Sequence, residues 1–285
     1  MSVIQTQPWL YKFVETCAMR SNESTYAIQS REICAPLMKY FPKVNIEVIH
    51  YELLCHGLFE PKEWPKIETT INDMEVKGIW RIVDMEYQRL QKLWKGPVVS
   101  IFIFPIRTIP GNLKETLPNK SGVAYKNSLF LFLSPSLSVE EIMALLAHEY
   151  NHVCRLDYLG VSSSQATLLD SIILEGLGEY AVKELYGEKW LAPWTNLYSL
   201  ENALIMWNKH FIPSLNIKGV SNHQVYLYGD VRRDLPEWIG YYLGFQIVDT
   251  YYKKHGPFKH QEIYQLTSKK LVEGSFFRYV SSDSN

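Results

Sequence analysis

The stretch Ser138 to Leu156, SVEEIMALLAHEYNHVCRL, constrains the fold of this chain more than any other. Ser138 and Glu141 form the pattern of a capping box, in which each side chain satisfies the other residue's backbone N–H, and this sets a helix start. Ile142, Leu145, Leu146, Tyr150 and Val153 then recur at helical spacing. The helix is therefore expected before any chemistry is considered. On it stands His148-Glu149-Tyr150-Asn151-His152, an H-E-x-x-H motif. Side chains four residues apart lie one above the other, so the two imidazoles can share a metal ion with Glu149 beside them. Neutral imidazole suits Zn²⁺, and three protein ligands leave a position open for water.

The second element of interest runs from about Gln165 to Tyr186, with Gly187 where a C-cap glycine belongs. Glu175 and Glu179 stand four apart on one of its faces. Ile172, Ile173, Leu174 and Leu177 surround Glu175, which implies burial, and a buried carboxylate needs a partner or a metal.

Elsewhere Ile67 to Trp94 reads as one long helix ended by Gly96-Pro97. Val98 to Ile106 and Leu129 to Leu133 are β-branched and aromatic runs that read as strands, the second internal. Gly122 to Tyr125 reads as a third strand near a sheet edge, where backbone groups could pair with an extended peptide. A Trp-rich helical segment follows from Trp190 to Pro213. Pro236 to Val248, continuing to about His255, and Leu266 to Phe277 read as helices, and Ser281 to Asn285 as a frayed tail. His223, Tyr226, Tyr228 and Arg232 precede the Pro236 helix; loop packing is their default role and substrate contact the alternative.

A formal net charge of -1 over 285 residues leaves no electrostatic footprint for nucleic acid or an anionic membrane surface. No apolar run is long enough for a membrane span, and the amino terminus lacks the pattern of a secretory signal. The cysteines Cys17, Cys34, Cys55 and Cys154 form no C-x-x-C pair, which fits reduced thiols and a cytoplasmic location. Cys154 reads as a small buried apolar residue, and His50, Glu52 and His56 lack a partner motif for a metal.

With H148-E-Y-N-H152 on one helix and E175-G-L-G-E-Y180 on the next, the chain resembles the gluzincin metallopeptidases, and more closely the YjaZ-like bacterial family of predicted zinc-dependent proteases. In gluzincins a Glu about two dozen residues past the second His is the third zinc ligand, and here 175 - 152 = 23. The resemblance implies His148, His152 and Glu175 as Zn²⁺ ligands, Glu149 as general base, and Glu179 as the carboxylate that orients a zinc-bound His. Gly240-Tyr241-Tyr242-Leu243-Gly244 is similar to the helix whose Tyr stabilises the transition state, which nominates Tyr241 with Tyr242 as its rival. The resemblance spans roughly Val98 to Lys254. The G-x-M-E-N strand that grips a free amino terminus in the aminopeptidase branch is absent.

The implied fold is α+β and predominantly α: a gluzincin-like core with a small mixed sheet packed on the motif helix. A helical amino-terminal region would occupy 1–95. A zincin-like domain would occupy 96–285, with strands about 98–133, active-site helices about 138–186 and a helical part about 190–285. The implied activity is hydrolysis of peptide or protein substrates with Glu149 as base; the alternative is a non-catalytic or regulatory zinc-binding protein on the same fold. Oligomeric state is left open.

Overall fold

A computed structural model describes residues 2–19, 22–108 and 119–278. The fold is α+β and predominantly α, and the chain divides into two compact units. The first is Met1–Arg89 with Val98–Glu149, the second Leu90–Pro97 with Tyr150–Asn285.

The first unit holds helices α1 (Gln7–Ala18), α2 (Thr25–Gln29), α3 (Ile46–His56) and α4 (Trp64–Lys77), and all but the end of α5 (Ile79–Trp94). The apolar repeat from Ile67 to Trp94 gives two helices rather than the single one expected. Gly78 adopts φ 73, a left-handed conformation that closes α4, and α5 starts at the next residue. Periodicity alone could not show the break, because Ile71, Met74, Ile79 and Val83 are all buried across it.

Strands β1 (Ser100–Pro105), β2 (Lys120–Tyr125) and β3 (Ser128–Leu133) form a three-stranded sheet in the order β1-β3-β2. β1 runs parallel to β3 and β2 antiparallel to it, with Gly122 opposite Leu131 and Val123 opposite Phe130. All six residues of β3 are buried, as the continuous apolar run LFLFL requires of a strand covered on both faces. β2 lies at an edge, and its residues are all half-buried.

Helix α6 (Val139–Leu159) carries the division between the units within it, after Glu149. Its start is the expected box: Ser138 N donates to Glu141 Oε2 at 2.8 Å, and Glu141 N to Ser138 Oγ at 3.2 Å. Helix α7 (Leu168–Tyr186) begins two or three residues later than expected, because Thr167 and Asp170 make a second box. It ends at Gly187, φ 91, as expected.

The Trp-rich segment is broken into short 3-10 and π turns around α8 (Leu200–Met206), and α9 (Gln224–Tyr228) is another short helix. α10 (Ile239–His255) and α11 (Ser268–Gly274) complete the chain, each shorter than its sequence pattern suggested. The expected frayed tail, 281–285, lies outside the described residues. Among the described residues no helix is long and apolar enough to cross a membrane.

α10 crosses α7 at a pair of glycines. A Cβ on Gly176 would lie 2.1 Å from Gly244 O, and one on Gly244 would lie 2.1 Å from Ile172 O. The two backbones are therefore in contact, which only residues without side chains allow.

Arg155, on α6 one turn beyond His152, is fully buried. Its Nη1 donates to Tyr264 O at 2.5 Å and Leu266 O at 2.6 Å, and its Nη2 to Ser268 Oγ at 2.9 Å. Ser268 Oγ in turn donates to Asp170 Oδ1 at 2.7 Å. Burial holds the guanidinium down at about 10.

Candidate metal centre

His148, Glu149 and His152 are 9%, 7% and 6% exposed, so the motif faces a water-poor interior rather than solvent. α6 is one unbroken helix, and this alone stacks His152 one turn above His148. Glu175 comes from α7, whose register is set by the Thr167 box at one end and the Gly176–Gly244 contact beyond. Its Oε2 lies 3.3 Å from His152 Nε2. Ligand atoms of His148, His152 and Glu175 all lie within 4.8 Å of one another. Two imidazoles and a carboxylate at that separation suit a tetrahedral divalent ion bound at about 2 Å from each donor.

Glu179, one turn past Glu175, is buried, and its Oε1 accepts a hydrogen bond from Ala192 N at 2.5 Å. The two tyrosines of α10 differ sharply. Tyr242 is 3% exposed with its ring edge-on to Tyr198, and burial raises its pKa. Tyr241 is half-buried, and its hydroxyl donates to the Tyr228 hydroxyl at 3.1 Å. The Tyr241 ring lies 5.3 Å from Trp194, 5.4 Å from Tyr228 and 5.2 Å from Trp238 between centroids. Trp238 holds a left-handed φ of 60 at the start of α10, where its N–H donates to Tyr228 O at 3.0 Å. Sequence reasoning did not find this aromatic cluster, whose members come from three separated segments.

His223 is fully buried, with Ile217 O 2.9 Å from Nε2 and Ser171 Oγ 2.8 Å from Nδ1. A carbonyl only accepts, so the proton sits on Nε2 and the Ser171 hydroxyl donates to Nδ1. Burial lowers its pKa. These contacts fit the packing role; Tyr226 likewise meets Ser214 Oγ, at 3.0 Å. Cys154 is buried with its thiol pushed up to about 12. His50 is buried against Gln29 Oε1 at 2.6 Å, and burial brings it down to about 4.

A further close approach had no sequence signal. Gly122 of β2 lies against the Glu149 side chain, so that a Cβ there would be 2.5 Å from Glu149 Cγ.

A family model described as predicted Zn-dependent protease (DUF2268) matches residues 79–273. The chain is 34% identical over 254 residues to the uncharacterized protein YjaZ of Bacillus subtilis (strain 168), covering 88% of this chain and 91% of that one. It is 26% identical over 137 residues to the uncharacterized protein YjfC of the same organism, covering 45% of each chain. No solved structure matches it. The matched span opens with α5 and closes inside α11, taking in the sheet and His148, His152 and Glu175, and the chain belongs to the YjaZ-like family of predicted Zn-dependent proteases.

Proposed function

We propose that the protein is a zinc-dependent metallopeptidase with a gluzincin-like core, in which His148, His152 and Glu175 hold the ion and Glu149 is the general base. The observation that carries this reading is the Glu175 carboxylate beside the His pair, delivered by a different helix. A carboxylate there, its side chain only 14% exposed, is favoured by a positive partner, and the donor set suits Zn²⁺. When bound, the ion supplies Lewis acidity and lowers the pKa of a water towards about 7.

Glu149 takes the proton from the water that attacks the scissile carbonyl and returns it to the leaving amine. Glu179, one turn along α7, is the carboxylate that orients a zinc-bound His. Tyr241, half-buried where Tyr242 is buried, turns its hydroxyl proton from Tyr228 to donate a hydrogen bond to the developing oxyanion. Tyr241→Phe is expected to leave zinc content unchanged and lower kcat by roughly 10²-fold, the usual cost of removing one such donor. Tyr242→Phe should leave kcat near wild type; the reverse pattern, read in steady-state kinetics, would move the role one residue.

The substrate is an extended polypeptide lying along β2. Ser134 N donates to Asn119 O, and antiparallel alternation then turns Ser121, Val123 and Tyr125 towards β3. The backbone groups of Gly122 and Ala124 point to the outer edge, where a peptide can pair with them. Val123→Pro, which removes an N–H that pairs β2 to β3 and so distorts the edge beside Gly122 and Ala124, is expected to raise KM for peptides.

The direct test measures zinc in purified protein by elemental analysis and hydrolysis of an unfolded protein before and after chelation. Bound zinc, hydrolysis lost on chelation and restored by zinc, and reduced zinc content in Glu175→Ala are expected. A folded protein that takes up no zinc would overturn the reading, as would hydrolysis indifferent to chelation.

A further inference from the structure

Gly122 is the third residue of the edge strand β2, paired with Leu131 and away from the strand ends, where glycine weakens pairing. Its backbone does not call for glycine, since its φ is not among the positive values of the chain. What does call for it is Glu149. A Cβ at this position would stand 2.5 Å from Glu149 Cγ, 2.6 Å from Cδ and 2.6 Å from Oε1. The carboxylate thus occupies the space a side chain would take. Ser121, the neighbouring residue in the strand, turns its Cβ to the other face, towards Gly57 at the end of α3. Glu149 itself is buried, so its carboxyl group has little room to step aside without changing direction.

We propose that Gly122 is a positioning residue for the general base: its bare Cα is the wall that sets the direction of the Glu149 carboxylate. The proposal rests on the zinc-peptidase reading above and adds to it a role for a residue that carries no functional group. A methyl group at 122 would push the carboxyl group by ~1 Å to reach ordinary contact distance, and a misplacement of that size costs a reacting group about 10²-fold in rate. The substituted atom meets a side chain and not backbone, so the fold can absorb it while the chemistry cannot.

The test compares wild type, Gly122→Ala, Glu149→Gln and the double variant for kcat, KM, zinc content and Tm. Gly122→Ala is expected to keep its zinc and a near wild-type Tm, and to lose about 10- to 100-fold in kcat with KM within about twofold. In the Glu149→Gln background the same substitution is expected to cause no further loss, because a residue that acts through the base has nothing left to act on. An unchanged kcat, or an equal fractional loss in both backgrounds, overturns the proposal while leaving the peptidase reading intact. Wild type without any metal-dependent hydrolysis takes down both. If Gly122→Ala fails to fold, Gly122→Ala with Glu149→Ala decides: recovery of a folded, cooperative melt supports the close approach, and failure of the double variant overturns it.

Discussion

Glu149→Gln is expected to retain zinc and to lower kcat by roughly 10²- to 10⁴-fold, the range that a positioned general base contributes. The substitution keeps the size and most of the shape of a side chain that is only 7% exposed and closely faced by Gly122, so stability should hold. The proposed ligands His148, His152 and Glu175 are untouched, and elemental analysis should therefore give the same zinc per chain as wild type. Loss of turnover with metal retained separates a base from a ligand. It also separates an enzyme from a protein that uses the ion only to hold its shape, since a structural site has no use for Glu149. Wild-type kcat in Glu149→Gln would remove the base from the mechanism.

Gly176→Ala is expected to produce the largest loss of stability. Its Cβ would come 2.1 Å from Gly244 O, and the atoms it meets are backbone on both counts, so α7 and α10 must separate or shift. Overpacking of this kind costs ~3 kcal/mol or more, on the order of 10 °C in Tm for a chain of this size. Because Glu175 precedes Gly176 on α7, the same displacement moves the carboxylate relative to His152, and zinc occupancy should fall with Tm. Gly244→Ala, aimed at Ile172 O from the other helix, should behave alike. A normal melt and full zinc content in either variant would show that the helices tolerate a methyl group between them, and the close crossing would lose its place in the account of the site.

The parts of the site that could be read from the sequence are those whose cause is local. Ser138 and Glu141 cap α6 through bonds three residues apart, and His148 and His152 share a face because helical geometry requires it. β3 shows its burial because covering both faces leaves no polar position in LFLFL. Glu175 entered through its spacing in a familiar arrangement, and its nearness to His152 is a matter of tertiary packing. Gly176 and Gly244 read as breaks in helix propensity, and Gly122 as a weak point in a strand. Each makes sense only beside an atom distant in sequence. The Trp194, Tyr228 and Trp238 rings around Tyr241 were hidden for the same reason, whereas Gly78 is a local left-handed cap that was masked because the apolar repeat continues across it.

The guanidinium of Arg155 ties α6 to the segment that leads into α11. Its acceptors are the carbonyls of Tyr264 and Leu266 and the hydroxyl of Ser268, so peeling away the last two dozen residues would strand a cation in the interior one turn from His152. Under the proposed reading, cutting the chain near residue 262 is expected to lower Tm and zinc content together, with His148, His152 and Glu175 all left in place.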